Sequence, residues 1–189
     1  MNREDIRFIA ASTCIENFKV GFEGEQIALE CFCRLLPHFS MRNWVSELRT
    51  AAGYAPSIGN LDARESPCDF IYEDESGKLS NRKGARCFIE VKANVEPSQV
   101  VFTSSEWQLA EQLNTQFGRG EARVYVLVLV DIPKRTLREI IVDPVGEVNS
   151  GGMASTLLGM VLNTRQRGED HPLLPFRGKC YRAQPPGPA

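Results

Sequence analysis

The chain has 189 residues, 42% hydrophobic and 24% charged, and its 22 Lys+Arg against 24 Asp+Glu give a formal net charge of −2. That size fits one domain, or a domain with a tail, and is enough to bury a real core. The charge balance excludes a polycationic nucleic-acid coat over the whole chain and a disordered acidic one, so an anion-binding surface has to be a local patch or a metal site. No run of about 18 uninterrupted apolar residues occurs, which argues against a membrane-spanning helix. The first residues, Met1 to Asp5, lack the basic-then-apolar layout of a signal peptide. Six cysteines, at 14, 31, 33, 68, 87 and 180, follow no framework spacing and read as reduced thiols of a cytoplasmic protein. Histidine occurs only at 38 and 171, which disfavours His-rich zinc and triad chemistry. Arg outnumbers Lys 16 to 6, a bias that suits planar phosphate contacts and equally ordinary surface ion pairs.

In chain order, Phe18, Phe22, Ile27, Leu29, Phe32, Leu35 and Leu36 recur at helical spacing and predict a helix over 16–36, closed by Pro37. Gly21 and Gly24 interrupt it and leave open a start only near Gly21. Trp44 to Leu48 reads as a short strand, and the Ala/Gly/Pro/Ser/Asn-rich stretch 51–66 as a loop. Cys68 to Tyr72 is a predicted strand, 73–84 a polar connection, Arg86 to Lys92 a second strand, and Ser98 to Phe102 a candidate extension of the sheet. Thr103-Ser104-Ser105-Glu106 supplies an N-cap and an early acid for a helix over Ser104 to Phe117, with Trp107, Leu109, Ala110 and Leu113 as its buried stripe. Arg123 to Val130 is the strongest strand, apolar enough for the centre of a sheet. Leu137 to Val142 is a last strand, ended by Asp143-Pro144. This order predicts an α/β fold with a central mixed sheet flanked by helices, not a repeating βαβ unit. Residues 1–146 read as the domain. Residues 147–189 read as a C-terminal extension, partly flexible, with a short helix at 154–162 and a Pro/Gly-rich end.

The chemistry concentrates in Asp69 followed by Glu90-Val91-Lys92. Alternate side chains of a strand share a face, so Glu90 and Lys92 point one way and Val91 the other. Charges at i and i+2 in an otherwise apolar strand are costly without partners. If the Asp69 strand pairs with this one, two carboxylates and an ammonium converge. Carboxylates a few ångströms apart repel, and a divalent cation relieves that repulsion. The ammonium beside them stabilises charge developing on a phosphate or orients water. The competing reading is a cross-strand salt-bridge cluster on an exposed sheet face. Cys31-x-Cys33-x4-His38 lacks a second ligand pair and reads as reduced core. Gly21-x-x-Gly24 lacks the Lys-Ser/Thr end of a phosphate loop and reads as close packing or flexible entry to the helix.

Ser66-Pro67-Cys68-Asp69 followed by Glu90-Val91-Lys92 resembles the PD-(D/E)xK nuclease superfamily, and the order of elements is similar to its αβββαβ core. More narrowly, Val20-Gly21-Phe22-Glu23-Gly24-Glu25, Trp44-Val45-Ser46, Ile89-Glu90-Val91-Lys92 and Phe102-Thr103-Ser104-Ser105-Glu106-Trp107 resemble the nuclease-like domain found at the C-terminus of NO VEIN proteins. The likeness covers about residues 18 to 145. It implies a restriction-endonuclease-like fold and divalent-metal-dependent phosphodiester hydrolysis. DNA is the expected substrate ahead of RNA, in a restriction or phage-defence setting with a helicase or ATPase as partner. Homo-oligomerisation stays open.

By the same resemblance, Asp69 and Glu90, with the Val91 carbonyl, are expected to hold Mg²⁺ or Mn²⁺, and Lys92 to contact the scissile phosphate or the attacking water. Glu25 matches an additional acid that reaches the metal directly or through water, and Gln108 a polar helper. Where the family carries a Gly-Tyr-Asp segment this chain reads Pro67-Cys68-Asp69-Phe70. Asp62 is therefore the alternative first acid; Asp69 is preferred because an apolar strand follows it. Arg64, Arg82, Lys83 and Arg86 are candidate nucleic-acid contacts, and Arg165, Arg167, Arg177, Lys179 and Arg182 a candidate second basic surface. Glu106 reads as a helix N-terminal acid favoured by the dipole. With no zinc finger or basic recognition helix in view, specificity is expected to be low or supplied by a partner. The alternative, from another class, is a catalytically silent nuclease-fold module that binds nucleic acid or protein.

Overall fold

Alternating apolar sets in the strand Arg123–Asp131 organise the molecule. Val124, Val126, Val128 and Val130 pack into one core and Tyr125, Leu127 and Leu129 into another, all of them buried. A strand covered on both faces needs this continuous apolar character. The structure is a computed structural model and describes residues 3–51, 53–54, 67–93, 99–118, 122–156 and 161–164. The candidates Asp62, Arg64, Arg165, Arg167, Arg177, Lys179 and Arg182 lie outside the described residues.

The elements are α1 (Arg3–Leu35), a 3₁₀ turn (Met41–Asn43), α2 (Glu47–Ala51), β1 (Phe70–Asp74), β2 (Ala85–Ala93), β3 (Gln99–Val101), α3 (Ser104–Gly118), β4 (Arg123–Asp131), β5 (Thr136–Val142), α4 (Pro144–Asn149), β6 (Met153–Thr156) and β7 (Val161–Thr164). The main sheet has four strands in the order β1-β2-β4-β5. β1 runs antiparallel to β2 with Phe70 opposite Ile89, and β2 runs parallel to β4 with Glu90 opposite Leu127. β4 and β5 are antiparallel. A parallel step needs a crossover, which α3 supplies. α1 covers one face, placing Ile27, Ala28, Cys31 and Phe32 in the core with Val91 and Val126. On the other face α3 places Ala110 and Leu113 in the core with Phe88, Tyr125 and Leu127. The predicted α/β architecture, a mixed sheet flanked by helices, is therefore present.

Several local expectations change. α1 begins at Arg3 and runs straight through Gly21 and Gly24. The two glycines serve close packing: a Cβ at Gly24 would stand 2.6 Å from the Ala93 Cβ, and one at Gly21 3.2 Å from Leu48 Cδ1. Trp44 to Leu48 is not a strand. Ser40 donates its N–H to Asn43 Oδ1 at 2.9 Å and its side chain accepts from Arg42 N, which sets the 3₁₀ turn. Trp44 then makes one bridge to Phe70, and α2 follows. β3 does not extend the main sheet but pairs with β7 in a second, three-stranded sheet of order β3-β7-β6. The helix expected at 154–162 is replaced at its ends by β6 and β7, because antiparallel partners satisfy the backbone there. Asp143-Pro144, read as the end of a strand, also starts a helix: the Asp143 side chain caps α4 by accepting from Gly146 N at 3.2 Å, with Pro144 at the first helical position. Residue 146 lies inside α4.

The β1–β2 connection hangs on Asp74, which is fully buried and accepts from the backbone N–H groups of Lys78, Leu79 and Ser80 at 3.0, 2.9 and 2.8 Å. That anchor fixes the pairing that places Asp69 level with Glu90. Replacement Gly24→Ala is expected to lower the urea midpoint. Overpacking against Ala93 costs about 1–3 kcal/mol, more than the roughly 1 kcal/mol that alanine returns in helix propensity. A more stable Gly24→Ala protein would refute the close approach of α1 to β2.

Candidate functional site

Asp69 lies immediately before β1 and is tied to both neighbours through its backbone. Its N–H donates to the Ile89 carbonyl at 2.8 Å, and its carbonyl accepts from Val45 N at 2.8 Å and Ser46 N at 3.2 Å. Its side chain reaches across to β2, where Oδ2 accepts the Val91 N–H at 2.7 Å. Glu25 arrives from α1 on the opposite side. Its Oε2 accepts from the Trp44 indole N–H and from the Ser46 hydroxyl, which stand 2.9 Å from each other. Trp44 is itself locked by Phe22 and Phe70, both stacked on it, and by Arg49, which donates to its carbonyl at 2.7 Å. The short bridge from Trp44 to Phe70 therefore carries the two groups that hold Glu25.

Glu90 and Lys92 share the α3 face of β2, as strand alternation requires. Lys92 Nζ stands 2.7 Å from Glu90 Oε1 and 2.8 Å from Glu106 Oε2. Glu106 Oε2 also accepts the Thr103 N–H at 2.9 Å, while Glu106 N donates to Thr103 Oγ1 at 3.3 Å. The reciprocal pair is a capping box that starts α3. One oxygen thus joins the helix cap to the strand lysine.

Burial sets the electrostatics. Glu25 is 3% exposed and Glu90 6%. Burial raises Glu25 from 4.5 to about 7, against the hydrogen bonds from Ser46 and Trp44 that favour its charge. Asp69 is held well above the usual carboxylate range, first by burial and next by the Glu25 charge, with the Val91 N–H and Lys92 opposing. Burial also raises Glu90 well above its usual value, helped by the Asp69 charge and opposed by Lys92. For Lys92 burial acts downward, but Glu90 and Glu106 outweigh it and the ammonium is held above its ordinary value. Glu25, Asp69 and Glu90 thus sit together in a poorly solvated space where an added positive charge would favour their ionised forms, and Lys92, paired with Glu90 and Glu106, is the ammonium beside them.

The structure brings Asp69, Glu90, Lys92 and Glu25 together. It does not bring Gln108: that residue is exposed on α3, two positions beyond Glu106 and so about 200° around the helix. Arg82 and Lys83 occupy the β1–β2 connection, at the other end of β2 from the acids. Arg86 lies four residues before Glu90, roughly 13 Å along the strand. Arg82 donates to the Phe117 carbonyl at 3.0 Å and stacks 3.6 Å from the Phe117 ring centre; Arg86 pairs with Glu73 at 3.4 Å.

Two site residues escaped sequence reading. Glu106 was read as a helix-terminal acid and is also the second carboxylate on Lys92. Its position four before Ala110 and seven before Leu113, on the buried face, is the signal that would have placed it toward the sheet. Tyr125 is the other. It is 1% exposed, its hydroxyl has no hydrogen-bond partner among the described residues, and burial together with the Glu90 and Glu106 charges raises its ionisation far above the ordinary range. A tyrosine in an apolar strand gave no sequence signal beyond its hydroxyl.

Among the described residues no three His, Cys, Asp or Glu side chains form a metal-holding group, and no helix is long and apolar enough to cross a membrane. Fold and site together define an α/β protein with a buried carboxylate–lysine cluster where α1, β1, β2 and α3 meet. Comparison with protein-family models, with curated proteins and with solved structures gives no match.

Two measurements check this geometry. Tyr125→Phe removes a buried hydroxyl that has no hydrogen-bond partner among the described residues, so its guanidinium unfolding at neutral pH is expected to show unchanged stability or a gain of about 1 kcal/mol; a loss above that size would mean the hydroxyl is bonded. The second is pH dependence. Between pH 4.5 and about 7 the folded chain keeps the Glu25 proton that the unfolded chain releases, so stability falls as pH rises through that window. Raised Asp69 and Glu90 act in the same sense. The metal-free protein is expected to have a higher urea midpoint at about pH 5 than at about pH 8, Glu25 accounting for up to about 3 kcal/mol. Glu25→Gln should flatten that difference.

Proposed function

We propose that the chain is a divalent-metal-dependent nuclease of restriction-endonuclease-like fold that hydrolyses DNA phosphodiester bonds, with RNA the less favoured substrate. The observation that carries the proposal is the convergence of Glu25, Asp69 and Glu90 inside the protein, Glu25 against Asp69 and Glu90 against Lys92, where ionised carboxylates are disfavoured unless a cation joins them. An exposed salt-bridge cluster would not raise its acids in this way. The chain order, α1, a 3₁₀ turn and α2, then β1, β2, β3, α3 and β4, also supports the reading, although α2 is an addition to an αβββαβ series and β3 pairs in the second sheet.

The donors suit Mg²⁺ or Mn²⁺. Such ions take one or two carboxylates and retain waters, without a cage built wholly from protein, so the lack of a three-ligand group among the described residues is compatible with them. Asp69 and Glu90 would hold the ion with the Val91 carbonyl, and Glu25 would act on it directly or through water. When bound it would supply a Lewis acid and a water of lowered pKa. The chain's own residues do the rest. The Val91 N–H fixes one Asp69 oxygen, and the Asp69 carboxyl also hydrogen-bonds the Glu25 carboxyl. Trp44 and Ser46 orient Glu25. Lys92 carries the positive charge that stabilises a phosphate gaining negative charge during in-line attack.

Partners proposed with this reading are DNA and, in a restriction or phage-defence setting, a helicase or ATPase. The second reading, a catalytically silent module, draws on the two short ion pairs that already occupy Lys92. Supercoiled plasmid incubated with Mg²⁺ or Mn²⁺ separates the two. Wild type is expected to nick or linearise it, and Asp69→Ala and Lys92→Ala to lose at least about 100-fold in rate, the size typical of removing a group that stabilises transition-state charge. Cleavage persisting in both variants identifies a contaminant; no cleavage with either metal on double- or single-stranded DNA or on RNA favours the silent module.

A further inference from the structure

We infer that Glu106 is a positioning residue that draws the Lys92 ammonium away from Glu90 and so frees Glu90 for a cation. The inference rests on the metal-dependent reading above. Lys92 Nζ stands 2.7 Å from Glu90 Oε1 and 2.8 Å from Glu106 Oε2, so two carboxylates divide one ammonium almost equally. An ammonium seated on Glu90 competes with a dication for the same carboxylate, and two positive charges at that distance repel. Glu106 offers the alternative seat.

That seat is fixed. Glu106 Oε2 is anchored by the Thr103 N–H at 2.9 Å at the start of α3, and α3 is packed on the sheet through Ala110 and Leu113. Glu90 sits two positions before Lys92 on the same strand, and among the described residues its Oε1 has no such anchor besides Lys92. When Glu90 turns toward a cation, Glu106 keeps Lys92 beside the reacting phosphate without leaving a buried ammonium unpaired. Lys92 also lies 5.7 Å from the Phe102 ring centre, a further favourable contact for its ammonium on this face.

Glu106→Gln removes the charge but keeps an oxygen for the helix cap, since glutamine serves at that position of a capping box. The test is Mn²⁺ affinity, read from the free-ion electron paramagnetic resonance signal, in wild type, Glu106→Gln, Lys92→Met and the double variant, with urea midpoints confirming that each folds. Glu106→Gln is expected to weaken Mn²⁺ binding by about five- to ten-fold and Lys92→Met to tighten it, because the competing ammonium is gone. In the Lys92→Met background Glu106→Gln is expected to change nothing, the non-additivity of a residue acting through another. Equal weakening in both backgrounds would mean that Glu106 acts on the ion itself, as a ligand or through its charge, and not through Lys92, and would overturn the inference, as would unchanged affinity in Glu106→Gln alone. Wild type that binds no Mn²⁺, or binds it undiminished after Asp69→Asn, overturns the metal-dependent reading itself and this inference with it.

Discussion

Burying carboxyl groups together is the constraint around which this molecule is arranged. Each of Glu25, Asp69 and Glu90 is destabilised in its charged form by loss of water, and the negative neighbours make matters worse. A chain tolerates this only by surrounding the acids with donors. Glu25 receives an indole N–H and a hydroxyl, Asp69 a backbone N–H from the neighbouring strand, and Glu90 an ammonium. All of these donors come from segments distant in sequence from the acid they serve, except Lys92. The cluster therefore exists only if α1, the Trp44 segment, β1, β2 and α3 are all in register.

The fold supplies that register through a few tight contacts. Gly24 lets α1 approach Ala93 at the end of β2, which brings Glu25, the next residue, to Asp69 just before β1. Asp74 closes the β1–β2 connection and so fixes the register that sets Phe70 opposite Ile89 and Asp69 level with Glu90. On the other face, the capping box of α3 places Glu106 within reach of Lys92. Structure and chemistry share atoms here: Glu106 Oε2 caps a helix and holds the lysine, and Asp69 Oδ2 both extends the strand hydrogen bonding and presents a carboxylate.

Aromatic packing gives the α1 side its stiffness. Trp44 is fully buried with Phe22 and Phe70 stacked on it, and Phe32, Phe39 and Tyr72 continue the cluster along the same face of the sheet. A fully buried, packed indole is a donor with little rotational freedom, which makes it a good partner for a buried glutamate. The α3 side is different. Lys92 is flanked by two carboxylates and Phe102, and the Tyr125 hydroxyl lies in that wall without a protein partner among the described residues. The two faces thus meet at the acids with a rigid wall on one side and a charged, incompletely paired one on the other.

By itself the amino-acid sequence determined the strong periodic elements: the apolar run of β4, the α3 stripe with its Thr103 to Glu106 start, and the Glu90-Val91-Lys92 alternation that demands partners for two charges in a buried strand. These are local properties, set by side-chain period and capping chemistry within a few residues. Only the tertiary structure decided that Trp44 belongs to a turn and bridge, not a strand, that β3 leaves the main sheet to pair with β7, and that α1 passes unbroken through two glycines. The same holds for Gln108 facing outward while Glu106 faces inward, and for the hairpin arginines standing at the far end of β2. Each of these outcomes depends on what a distant segment offers, a hydrogen-bonding edge, a space only glycine fills, or a counter-charge, and local propensity carries no record of such partners.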